Sequence, residues 1–266
     1  MKTLRQRIEA ADIEGRVARI PFVTAGFPDV RRFWGILSDL DKNGADIIEI
    51  GVPFSDPVAD GPVVEEASRR ALAQGVTLAW ILDTLKKRPP CRAGLVLMGY
   101  YNPFLQYGLE RLARDAAEAG IQGCIVPDFP LGEDDAMRAA LKAYAIDLIP
   151  LVGLNTPEDR MREYARSASG YVYVVSVLGT TGVRRDLSEE ATETVRRAKK
   201  IFDLPVALGF GISTPAQIRA LPHRPHAAVF GSALLRHLDS GGTVEEFMAP
   251  WLDEEKEKSG NCGGER

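Results

Sequence analysis

Residues 48 to 62 read Ile-Glu-Ile-Gly-Val-Pro-Phe-Ser-Asp-Pro-Val-Ala-Asp-Gly-Pro, and this stretch places carboxylates where they can do chemistry. Glu49 stands inside an apolar, strand-like run. Asp56 and Asp60 stand in the Pro- and Gly-punctuated loop that follows. Desolvating a carboxylate among isoleucines is costly unless it is paired or protonated, so its presence there points to proton transfer. An acid in a dry slot beside an aspartate on a wetter loop lets one site run acid and base steps together. A second reading of Glu49, in which backbone amides or an arginine satisfy it, stays open. Asp60, in Asp-Gly, also fits an ordinary turn. Asp56, in Ser-Asp-Pro, reads as a brace of the loop. Asp128, in Val-Pro-Asp-Phe-Pro, either touches a substrate or organises a loop.

Glycines late in the chain form a second constellation. Gly179-Thr-Thr-Gly182, Gly209-Phe-Gly211-Ile-Ser and Gly231-Ser232 follow three successive strand candidates, and Ser232 opens a short apolar helix. Backbone N–H groups and a helix N-terminus in such positions suit a phosphate, and a side chain at the glycines would hold the anion away. No lysine or arginine falls within these segments. Amide dipoles would therefore carry most of the binding, with Arg184 and Arg185 at the margin.

Other chemistries lack their residues. The lysines, at 2, 42, 86, 87, 142, 199, 200, 256 and 258, fall on helices, turns or tails rather than strand ends, which disfavours a Schiff base. The histidines, at 223, 226 and 237, have no co-ligands arranged with them, so no metal is expected. Cys91, Cys124 and Cys262 are widely spaced and read as free thiols in a reducing compartment. The formal net charge is −4 and no basic cluster is interleaved with aromatics, which argues against nucleic acid. The N-terminus has no apolar signal core, and no apolar run reaches the roughly 20 residues of a membrane span. A cytoplasmic protein is the expectation.

The elements that must position these groups alternate along all 266 residues. Strand candidates lie at 19–24, 46–51, 94–99, 123–127, 147–152, 170–176, 205–209 and 226–231, with helical stretches between them. Residues 108–119 show the helical period through Leu109, Leu112, Ala113, Ala116 and Ala117. Thr156-Pro157 and Thr214-Pro215 read as N-caps followed by proline at the first helical position. Apolar strands alternating with helices require a parallel sheet, and eight such units require closure. The expectation is an α/β fold, a single (β/α)8 TIM barrel over residues 1–253. Residues 3–15 form an extra N-terminal helix, and residues 254–266 form a polar, frayed tail. The loop at 53–62 exceeds a minimal connection and reads as an active-site loop.

The segment Glu49 to Gly61 resembles the signature of the tryptophan synthase α subunit family along its whole length. Further matches lie in Pro-Phe-Val-Thr-Ala-Gly-Phe-Pro at 21–28, Tyr-Tyr-Asn-Pro at 100–103 and Val-Pro-Asp-Phe-Pro at 126–130. The glycine segments match too, so the resemblance runs from about residue 3 to 250. It implies a lyase that cleaves indole-3-glycerol phosphate to indole and D-glyceraldehyde 3-phosphate, a retro-aldol step of L-tryptophan biosynthesis. By that resemblance Glu49 is the general acid–base and Asp60 handles the indole N–H proton. Phe22, Met98, Tyr100, Tyr173 and Phe210 would border the indole. Gly182, Gly211, Gly231 and Ser232 would hold the phosphate, and Thr181 would help close the loop over it.

The resemblance also implies a partner, a pyridoxal phosphate-dependent β subunit in a heterotetramer, with no cofactor in this chain. Pro53, Asp56, Asn102 and Pro130 would lie toward that interface. One departure stands out. Many members read Ser-Arg-x-Gly-Val-Thr-Gly where this chain reads Ser176-Val-Leu-Gly-Thr-Thr-Gly182, so an arginine is missing from the closing loop. Rival readings are a protein that chiefly activates a β subunit, and another phosphate-sugar barrel. The latter would carry strand-end lysines or early metal ligands, which this sequence lacks.

Overall fold

A computed structural model describes residues 2–89, 91–129, 135–175, 189–209 and 211–260, the last eight of these by backbone alone. Its strands are β1 (Ala18–Thr24), β2 (Ile47–Gly51), β3 (Gly94–Met98), β4 (Ile121–Ile125) and β5 (Asp147–Leu148). They continue with β6 (Leu151–Gly153), β7 (Val172–Val175), β8 (Val206–Gly209) and β9 (Ala227–Phe230). All pair in parallel, in the order β5-β4-β3-β2-β1-β9-β8-β7-β6. The ninth strand arises because the expected strand at 147–152 is interrupted at Ile149-Pro150. That segment still bonds to both sides: Ile149 N–H donates to the Cys124 carbonyl, and Tyr173 N–H donates to the Pro150 carbonyl. Proline has no N–H to give the ladder, so β5 and β6 are two halves of one barrel strand. The chain is a (β/α)8 barrel.

Period-2 alternation divides the core into two layers. Outward residues such as Val23, Ile48, Ile50, Leu95, Leu97, Val172, Val174 and Leu208 pack beneath the helices. Inward residues, among them Ile20, Phe22, Ile47, Val96, Met98, Ile125, Tyr171, Tyr173 and Val229, fill the barrel. Ala18, Ala207 and Ala227 stand in register beside Tyr173. These small side chains of β1, β8 and β9 leave room for the two tyrosine rings of the 171–175 segment.

The N-terminal helix is Leu4–Ile13, capped by Thr3, whose side chain accepts from Gln6 N–H while the Gln6 side chain accepts from Thr3 N–H. It closes the barrel floor with buried Leu4, Ile8 and Ala11. A Cβ at Gly94 or Gly123 would lie 2.7 Å from Leu4 methyl carbons, so these glycines, at the start of β3 and the middle of β4, make space for the plug. The last helix, Val244–Gly260, carries the backbone past residue 253 into the segment read as tail.

Two local expectations differ in detail. Thr214 does precede the helix Pro215–Arg219. The helix Glu158–Ala165, however, has Pro157 at its cap, and Thr156 Oγ1 instead accepts from Gly153 N–H at 3.0 Å. Among the described residues, no helix is long and apolar enough to cross a membrane. Cys91 and Cys124 are free thiols.

Candidate active site

Glu49 lies at the middle of β2 with its side chain inside the barrel, level with Phe22 of β1 and Val96 of β3. It is fully buried, and burial raises its pKa to about 8, against a smaller opposing effect of its hydrogen bond with Tyr171. The carboxyl therefore holds a proton at neutral pH. Its partner is neither a backbone amide nor an arginine. Tyr171 Oη donates to Oε1 at 2.7 Å, and Oε2 is buried with no hydrogen-bond partner among the described residues. Tyr171, itself 0% exposed, is a residue that the sequence reasoning passed over. Its signal lay in Tyr171-Val-Tyr173, where a period of two puts both rings on the interior face.

Asp60 is half-buried in the loop after β2, just before the helix Pro62–Ala73. Desolvation lifts its pKa to about 6, opposed by its hydrogen bond with Tyr100 and assisted by nearby Glu65. The Tyr100 hydroxyl also accepts from Ala59 N–H at 3.0 Å, and the ring lies 5.1 Å from that of Phe54. Tyr100 thus ties the loop to the end of β3. Asp128, left open by sequence, accepts from Tyr101 N–H at 2.9 Å and so satisfies the start of the helix Tyr101–Tyr107. It organises the loop. Asp56 is exposed and accepts from its neighbour Ser55.

A pocket opens at the C-terminal mouth, bordered by Phe22, Asp60, Met98, Tyr173, Gly211, Gly231 and Ser232. Glu49 does not line it directly; Phe22, its register partner, does. The helix Ser232–Asp239 starts here, with Gly231 at its cap and no side-chain capping bond. Its free N–H groups and dipole favour an anion. Gly211 has φ +86° and open space where a Cβ would stand. Two other glycines have a different reason. A Cβ at Gly231 would meet the Phe22 ring at 2.9 Å, and one at Gly209 would meet the Tyr173 hydroxyl at 2.3 Å. They make room for site rings as much as for an anion.

Arg236, one turn along that helix, also borders the pocket, so a cation is at hand that the glycine segments themselves lack. Sequence spacing held the signal: Ser232 and Arg236 are four apart and share a helix face. Thr181, Gly182 and Phe210, with Arg184, Arg185 and Pro130, lie outside the described residues. The His223-x-x-His226 pair does not assemble a ligand set. His226 Nδ1 accepts from Val206 N–H at 2.8 Å and ties β8 to β9. Among the described residues no cluster of three or more His, Cys, Asp or Glu is placed to hold a metal ion.

A buried acid in the barrel interior, a second acid at the mouth and a glycine-lined pocket at a helix N-terminus are the features of a (β/α)8-barrel enzyme. Comparison with known proteins supplies the particular family. The profile of the tryptophan synthase alpha chain family matches residues 8–260. The tryptophan synthase alpha chain of Nitratidesulfovibrio vulgaris is 63% identical over 251 residues, covering 94% of this chain and 98% of that one. That of Desulfovibrio desulfuricans is 61% identical over 254 residues, 94% and 100% of the two chains. A solved structure of Mycobacterium tuberculosis tryptophan synthase superposes with a TM-score of 0.85 at 33% identity, over 93% of this chain and 97% of that one. The chain belongs to the tryptophan synthase alpha chain family, the lyases that cleave indole-3-glycerol phosphate.

Proposed function

We propose that this chain performs the lyase reaction with Glu49 as general acid–base and Asp60 as its partner. The observation that carries this reading is the complete burial of Glu49 inside the barrel with Tyr171 as its one hydrogen-bond partner among the described residues, a setting that lifts its pKa to about 8. Glu49 delivers its proton to the indole ring carbon that bears the glycerol chain. As positive charge develops on the ring, the Asp60 carboxylate stabilises the indole N–H or takes its proton and returns it as the ring is restored. Glu49, now ionised, accepts the proton of the neighbouring glycerol hydroxyl. The carbon–carbon bond then breaks, leaving an aldehyde on the triose phosphate, and its electrons restore the aromatic indole. Each positioned proton transfer is worth roughly 10² to 10⁴ in rate.

Phe22, Met98, Tyr100, Tyr173 and Phe210 flank the indole. The amides of Gly182, Gly211, Gly231 and Ser232 hold the phosphate, and Thr181 closes over it. Residues 1–253 act as the catalytic barrel, with 254–266 as an appendage.

The product indole passes to a tryptophan synthase β subunit, which carries the pyridoxal phosphate; this chain carries no cofactor. The assembly is a heterotetramer of two α and two β subunits in the cytoplasm. Its contact face includes Pro53, Asp56, Asn102 and Pro130. Two exposed apolar side chains nearby in sequence support this placement, Val58 at 81% and Leu105 at 47% exposure.

The test is indole release from indole-3-glycerol phosphate by the purified chain, alone and with β subunit. Release that rises with the partner and vanishes in Glu49→Gln is expected. Release that persists in Glu49→Gln would remove Glu49 from the mechanism.

A further inference from the structure

Behind Asp60 the main pocket continues into a small side chamber walled by Thr24, Gly51, Val52, Ser68, Gly99, Tyr100 and Pro127. The two spaces share Phe22, Asp60, Val64 and Met98. Most of this wall is apolar, yet two hydroxyl-bearing side chains, Thr24 and Ser68, line it. Thr24 is 1% exposed, at the end of β1, and its Oγ1 has no hydrogen-bond partner among the described residues. Ser68 is 4% exposed, in the middle of the helix Pro62–Ala73.

Leaving a buried hydroxyl unpaired costs on the order of 1–3 kcal/mol, so such a group requires a partner. Serine is also a poor choice for the buried face of a helix unless its hydroxyl is used. The chamber has room for about one water molecule, and a buried water needs two to four polar neighbours. Thr24, Ser68 and Asp60 are three.

We propose that Thr24 and Ser68 are positioning residues for Asp60, holding one ordered water that donates a hydrogen bond to its carboxylate. The hydroxyls anchor the water, and the water supports the ionised acid that faces the indole nitrogen. Asp60 and Tyr100 are the titratable groups in the chamber wall, and Glu65 acts on Asp60 from the adjacent helix. Tyr100 supplies one such bond, which lowers the Asp60 pKa, and Glu65 works against it, so burial still leaves the acid raised to about 6. Tyr100 also accepts from Ala59 N–H, and Glu65 is a like charge, so a further donor to the Asp60 carboxylate has a role to fill. The inference rests on Asp60 taking part in the lyase reaction.

The experiment is a titration of the Asp60 carboxyl by carbon NMR in the full chain, with Asp60→Asn assigning the signal. It is paired with the pH dependence of kcat in the complex with β subunit. Thr24→Val keeps the shape and removes the hydroxyl; Thr24→Ser restores it. The expected result is a rise of about 0.5 to 1 unit in the Asp60 pKa in Thr24→Val, the scale of one hydrogen bond. The acid limb of kcat should move with it, Ser68→Ala should act in the same direction, and Thr24→Ser should match the parent. An unchanged Asp60 titration in a folded Thr24→Val, or an equal shift in Thr24→Ser, would overturn the assignment. If Asp60→Asn turns over normally, the role of Asp60 itself fails, which the NMR titration distinguishes because it needs no turnover.

Discussion

Tyr171 and Glu49, 122 positions apart in sequence, meet inside the barrel through a 2.7 Å hydrogen bond between two fully buried side chains. The tyrosine donates to whichever form of the carboxyl is present, but it supports the ionised form more strongly. Removing that donor should raise the Glu49 pKa further. Tyr171→Phe is expected to shift the alkaline limb of the kcat profile upward and to slow turnover by about threefold to tenfold, the scale of one hydrogen bond. A profile identical to the parent would show that Tyr171 serves packing alone.

In the proposed mechanism the two acids set the pH dependence of the reaction. Glu49 must be protonated to begin, and its pKa is about 8; Asp60 must be ionised, and its pKa is about 6. kcat should therefore follow a bell, rising through pH 6 and falling above pH 8. Asp60→Asn should depress the curve and abolish its acid limb, leaving the fall above pH 8; an acid limb that persists near pH 6 would belong to another group.

Stability carries the same shift with a definite sign. The folded protein binds the Glu49 proton more tightly than the unfolded chain, whose glutamate has its ordinary value near 4.5. That contribution is fully present below pH 4.5 and is lost as pH rises toward 8, because the native state then holds more protons than the unfolded one. Glu49→Gln, which stays neutral, should gain stability relative to the parent between pH 5 and 9. Chemical denaturation at both ends of that range measures it, and a constant difference would place the titrating group elsewhere.

Gly211 adopts φ +86°, a conformation that strains a β-branched residue whatever the space around it. Gly211→Val should raise KM for the phosphorylated substrate at least about tenfold. Free indole, which lacks the phosphate, should bind about as before. Equal loss for both ligands would mean a general collapse of the mouth.

Leu4 fills the barrel floor against Gly94 and Gly123. Leu4→Ala should cost about 2–5 kcal/mol by cavity formation, read by urea unfolding. Gly123→Ala should also destabilise, because its Cβ would stand 2.7 Å from a Leu4 methyl and 2.9 Å from one of Ile149. If the double variant is no better than the sum of the two, Leu4 and Gly123 do not form the tight contact described.

Much of this arrangement is written locally. Runs of β-branched residues bounded by glycine and proline mark strands, and the helical period of 109–118 marks a helix, because secondary structure depends on near neighbours. Glu49 betrays itself because a charge among isoleucines is costly in any fold that buries the strand. The later glycines point to the proposed anion site by their order along successive strands.

Only closure of the barrel decided the rest. It brings Tyr171 across the interior to Glu49, sets Phe22 against Gly231 and Tyr173 against Gly209, and turns Asp128 onto the helix that starts at Tyr101. It also allows one strand to break at Pro150 and still bond on both sides. These are contacts between residues tens to hundreds of positions apart, fixed by strand register and by which side chains fill the interior. A sequence pattern gives each residue's face; which faces meet is decided by the tertiary structure.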